Sequence, residues 1–125
     1  MIETARAYTR EQGRFAALRL LDRKQAPTAI VAANDLLALG IYDALRERGL
    51  RCPADVSVVG HNDMPYVDML SPPLTTVRIA QRNIGNQAAR LLLDEIAEPA
   101  ARRARVVLEP RLIVRGSTGK PRAKE

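Results

Sequence analysis

Three segments near the centre of the chain limit its fold more than any other feature. TAIVAA (28–33) is short, apolar and rich in β-formers. LLALGIYDALRERG follows directly, amphipathic at helical spacing, and DVSVVG then returns to strand character. Fully apolar strands alternating with amphipathic helices predict a parallel sheet covered by helices on both faces.

The same pattern extends outward. Thr9 and Gln12 form a capping box ahead of a helix over 10–22, with Phe15, Leu18 and Leu21 at helical spacing. Asn34 and Asp35 are both good caps for a helix over 35–48, and Gly49 stops it. Strands are expected at 55–59 and 75–78, a helix at 81–97, and strands at 105–108 and 111–114. The order is α-β-α-β-loop-β-α-β-β. Residues 1–115 read as one α/β subdomain of Rossmann-like type, and 116–125 as a basic, solvated tail. The loop at 60–74 is long for a structureless connection, and such loops are often functional.

Charge supports that division. Residues 101–125 hold eight basic and two acidic side chains, while residues 1–100 balance at twelve of each. A basic tail on a neutral body supports only sequence-independent phosphate attraction, with no recognition of bases. Cys52 is the only cysteine, so an internal disulfide and a thiol-rich metal site are both excluded. No apolar run approaches a membrane span and no h-region opens the chain, so a cytoplasmic location is expected.

Phosphate-loop, dinucleotide and nucleophile-elbow motifs are all missing. No catalytic residue, metal or cofactor is expected. The strand ends instead carry Asn34, and then His61, Asn62 and Asp63 directly after Gly60. Ligands of open α/β sheets bind beyond the carboxyl ends of strands, and Asn both donates and accepts. Asn34 and Asn62 are therefore candidate ligand contacts, with His61 beside them. Equally, Asn34 could simply cap its helix and Asn62 turn the chain. His61 reads first as a packed ring, and Asp63 as a turn or cap.

The helix at 35–48 has two apolar stripes: Leu37, Ala38, Ile41, Ala44 and Leu45, and then Leu36, Leu39 and Tyr42. One stripe suffices for a core. Gly40 between them costs helix stability, which a close backbone approach would justify. The second stripe is either buried within one subunit or covered by another.

The ordered motifs PTAI, AND, RGL-x-x-P-x-DVSVVG, SPPLTTVR and VRGST, with the helix IGNQAARLLLDEI, resemble the LacI/GalR family of transcription regulators. The resemblance implies the C-terminal half of a periplasmic-binding-protein-like effector domain, with a small molecule, often a sugar or nucleobase, as effector. It implies effector contact at Asn34 and Asn62. It also implies a homodimer through Leu36, Leu39, Tyr42, Tyr66 and Leu70, with DNA contacted only by a headpiece that this sequence does not contain. The alternative is a free-standing sugar-binding module with no role at DNA. Two departures stand out. Gly60, His61, Asn62 and Asp63 align where relatives read glycine, aromatic, Asp, then Asp or Asn, and Ile79 stands where many carry Gln. A neutral Asn62 favours a ligand bringing its own acceptors, or an anion.

Overall fold

The computed structural model describes residues 1–99 and 104–121. Its elements are α1 (Arg10–Leu21), β1 (Ala29–Val31), α2 (Asp35–Glu47), β2 (Ser57–Asn62), β3 (Thr75–Arg78), α3 (Gln81–Ala97) and β4 (Arg111–Ile113). A single 3-10 turn, Val67–Met69, lies in the loop between β2 and β3. The sheet runs β1-β2-β3-β4, and β1, β2 and β3 are parallel. The expected α/β class and parallel sheet are both present.

The chain divides into two units, Met1–Arg78 with Leu112–Glu125, and Ile79–Arg111. In the first, α2 packs on β2 and against α1. Its first stripe supplies the core: Leu37, Ala38, Ile41, Ala44 and Leu45 are buried with Ile30, Val58 and Leu74. The close approach that Gly40 implied is made within the chain. A Cβ at Gly40 would overlap the backbone of Arg10, Gly13 and Arg14, and one at Gly13 would overlap the backbone of Leu37. The two glycines thus let α1 and α2 touch backbone to backbone. Ion pairs Arg10–Asp43 and Arg14–Glu47 (2.7 Å) flank that contact on the surface.

The segment after β4 does not behave as a tail at its start. Ser117 is fully buried. Its Oγ donates to the Val58 carbonyl (2.6 Å) and accepts from the Thr75 N–H (2.7 Å). The Val58 N–H donates to the Ser117 carbonyl (2.8 Å), and the Gly119 N–H donates to Ser57 Oγ (3.1 Å). The chain is therefore held to β2 and β3 as far as Gly119. Residues 122–125, the end of the expected tail, lie outside the described residues.

In the second unit, α3 has no buried residue, and Ile84, Leu92, Leu93 and Ile96 are exposed. Residues 105–108, expected as a strand, carry no regular structure. Their β-type composition is real, but a strand also needs a paired partner, and residues 105–108 make no strand pairing among the described residues.

Candidate functional site

The polar run at 61–63 has a structural explanation. β2 does not stop at Gly60; it continues through His61 and Asn62. Gly60 permits this, because a Cβ there would collide with the Asp35 carboxylate and press on Leu74. Register sets the rest. Val31 pairs with Val59, and Asn62 pairs with Arg78. Asn34 lies as far past Val31 as Asn62 lies past Val59. Asn62 and Arg78 are thus register partners at the carboxyl ends of β2 and β3, and Asn34 follows the carboxyl end of β1 by three residues, on the side where open α/β sheets take ligands.

Both readings of Asn34 left open by the sequence concern the same side chain, and one of them is visible. Its Oδ1 accepts from the Leu37 N–H (2.8 Å), capping α2. The cap occupies the carbonyl oxygen and leaves the Nδ2 amine for other partners. Asn62 is similar. His61 Nδ1 lies 2.9 Å from Asn62 Oδ1 and donates to it in the Nδ1–H tautomer. Both asparagines thus have an engaged oxygen.

Past Asn62 the backbone is forced into unusual geometry. Asn62, Asp63 and Tyr66 have positive φ, at 113°, 57° and 72°. Asn and Asp accept such values more readily than most residues, while a tyrosine does so only where its surroundings enforce it.

Three residues that sequence reasoning did not assign here hold this end of the sheet in place. Asp35, read only as a cap, is wholly buried. Its Oδ1 accepts from Thr76 Oγ1 (2.7 Å) and its Oδ2 from the Met64 N–H (2.7 Å). Asp63 is held by Arg78 Nε (2.5 Å) and Arg115 Nη2 (2.7 Å). Arg115 also donates to the Leu74 carbonyl (2.8 Å), so it ties the loop to β3. The AND and VRGST motifs contain Asp35 and Arg115, but nothing local in them reveals partners so distant in sequence.

Burial pushes the Asp63 carboxyl up, but hydrogen bonds and charge from Arg115 and Arg78 outweigh it and hold the group below the usual carboxylate range. A carboxylate with a depressed folded value stabilises the fold above its unfolded value, near pH 4, and loses that contribution as pH falls through the folded value. Asp63→Asn is therefore expected to cost stability at pH 7, and this cost should shrink as the pH drops below about 4. Urea melts at both ends of that window check it; parallel losses in both proteins would contradict it.

Elsewhere in the first unit, a cavity of about 520 Å³ lies among the N-terminal segment, α1 and β1. Its lining is mostly apolar, including Ile2, Ala16, Leu20, Ile30 and Leu37, with Glu3, Thr4 and Arg6 also present, and neither asparagine lines it. The residues expected at a dimer interface are dispersed. Leu36 and Leu39 are half-buried. Tyr42 and Leu70 pack against the core, and the Tyr42 hydroxyl donates to the Pro72 carbonyl (2.9 Å). Tyr66 is exposed.

Comparison with known proteins gives a consistent picture. A family model described as a periplasmic binding protein-like domain matches residues 2–118. The HTH-type transcriptional regulator MalR of Streptomyces coelicolor is 47% identical over 111 residues, which is 89% of this chain and 32% of that protein. The HTH-type transcriptional repressor PurR of Haemophilus influenzae is 38% identical over 114 residues, 89% of this chain and 34% of that one. A LacI family transcriptional regulator of Enterococcus faecium, solved with bound ribose, superposes with a TM-score of 0.79 at 33% identity. That match covers 88% of this chain and 40% of the other. The chain spans about a third of the length of the curated relatives it matches.

Proposed function

Because this chain belongs to the periplasmic binding protein-like domain family, we propose that it is the effector-binding and dimerisation part of a LacI-type transcriptional regulator. The observation that carries this reading is that Asn34 and Asn62 both lie at the carboxyl-end side of parallel strands, Asn34 just past β1 and Asn62 at the end of β2, in a chain similar to regulators over most of its length. No group of three or more metal-ligating side chains occurs among the described residues. The arrangement suits recognition of a small molecule rather than chemistry on it. DNA contact belongs to another part of such a regulator, which acts in the cytoplasm. No helix among the described residues is long and apolar enough to cross a membrane.

The exposed apolar side of α3 accords with a domain that other segments complete. So does the length of the relatives. Calorimetry on the full-length protein, with a panel of small sugars and sugar acids, tests the site. Each of Asn34→Ala and Asn62→Ala is expected to weaken binding roughly tenfold, the loss of one well-formed hydrogen bond. Unchanged affinity in both would remove the assignment.

The dimer reading rests on Leu36 and Leu39, half-buried on α2, together with exposed Tyr66 and Met69 in the loop after β2. Leu39→Glu is expected to shift the protein toward monomer in sedimentation at matched concentration. A mutant that associates as well as the native protein argues against this face.

A further inference from the structure

We propose that Arg115, on the chain returning past β4, is the positioning residue that holds the loop between β2 and β3 ready for self-association. This rests on the reading above that the loop lies in a dimer interface, and it names a side chain that sets the affinity of that interface. Asp63 is the first residue after β2, and Leu74 is the last before β3. Arg115 bonds to both. Its Nη2 donates to Asp63 Oδ1 (2.7 Å) and its Nη1 to the Leu74 carbonyl (2.8 Å). One planar guanidinium thus ties the two ends of the loop together. Arg115 is itself fixed on β3, since its backbone N–H donates to Thr75 Oγ1 (2.9 Å), and its side chain is only 17% exposed. Arg78 does not do the same work: it bonds Asp63 alone, through Nε, from a largely exposed side chain.

Between those ends the loop has a single 3-10 turn, Val67–Met69. The Leu74 N–H donates to the Val67 carbonyl (2.9 Å), and Val67 is buried. Tyr66 precedes it with φ at 72° and is 74% exposed; Met69 is exposed as well. A tyrosine keeps a positive φ only while its surroundings enforce it. The tied loop therefore presents two large apolar side chains to solvent in one backbone arrangement. Ordering them in advance removes a cost that association would otherwise meet. With the tie cut, that arrangement becomes one of several, and apparent affinity falls with its population.

Sedimentation equilibrium gives the dimer constant of the native protein and of Arg115→Met, which keeps an unbranched stem but no donor. Amide exchange in the same samples follows the loop and the helices separately. Arg115→Met should raise the dimer dissociation constant roughly tenfold. It should also speed exchange of the Met69 amide, which bonds the Tyr66 carbonyl, while the amides of α1 and α2 keep their native rates. Asp63→Asn should act in the same direction. The double variant should lose less than the product of the two fold-changes, because both changes break one tie. Thr9→Ala, which removes the α1 cap, controls for a general loss of stability. Native association in Arg115→Met, with Leu39→Glu dissociated, overturns the proposal and leaves the interface standing. Thr9→Ala weakening association as much as Arg115→Met, or two effects that multiply in full, also overturns it. If neither Leu39→Glu nor Arg115→Met alters association, or the native protein is monomeric throughout, the dimer reading falls and the proposal with it. Should Arg115→Met fail to fold, Asp63→Asn decides: an unchanged dimer constant there overturns the proposal.

Discussion

Gly40→Ala is expected to destabilise the first unit by about 3 kcal/mol or more, although alanine is the better helix former by roughly 1 kcal/mol. The added methyl would overlap the backbone of Arg10, Gly13 and Arg14. A flexible side chain could turn aside; the backbone of a packed helix cannot. The helices would have to separate, which would open the core around Ala17, Ala38 and Ile41. Gly85→Ala in α3 is the matched control, since nothing outside the helix lies within 4 Å of the new Cβ. It should be neutral or stabilising by up to about 1 kcal/mol. Urea melts of both variants measure the contrast. Equal behaviour would show that the α1–α2 contact is not as close as described.

Asp35→Ala is expected to cost about 3–5 kcal/mol. The carboxylate is completely buried, and its removal strands the Thr76 hydroxyl and the Met64 N–H without their acceptor. Each bond is to a charged group and sits where water does not replace it. Asp35→Asn should cost less, because the Thr76 hydroxyl can accept from the new amide nitrogen while the amide oxygen keeps the Met64 N–H. The loss has a local signature as well. The Met64 amide should exchange with solvent much faster in Asp35→Ala than in the native protein, since that bond anchors the start of the loop. Unchanged Met64 exchange would mean that Asp35 is not the anchor.

These two residues also show how far a sequence can be read. Helical spacing marks Leu37, Ala38, Ile41, Ala44 and Leu45 as a core stripe, and all five are buried. Capping chemistry marks Thr9 and Asn34, because its partners are three residues away. Gly40 announces a close approach but not the element approached; α1, in the same chain, was the answer. Asp35 carries the cap signal, whereas its main partners are 29 and 41 residues distant and leave no local trace. Composition misled at both ends of the last strand. Residues 105–108 have β-forming side chains but pair with no strand among the described residues. The run from Gly116 looks solvated because it is short on apolar residues, yet Ser117 is buried at no cost, with its hydroxyl both donating and accepting. For the candidate site, residue type made Asn34, His61 and Asn62 legible; Arg78 and Arg115 required the register of β2 on β3 and the return of the chain past β4.

The clasp at Ser117 also bears on how the protein is made. Val58 and Ser117 are 59 residues apart, and they bond in both directions. On a ribosome, β1, α2 and β2 emerge well before the residue that satisfies the Val58 peptide. Until Ser117 leaves the exit tunnel, β2 has an unmet backbone group on one side and β3 lacks an acceptor for the Thr75 N–H. Contacts this distant close late, because the loop entropy must be met first. A chain stalled on the ribosome before Ser117 emerges is therefore expected to leave β2 and β3 easier to cleave than in the finished protein, which limited proteolysis of stalled chains would measure.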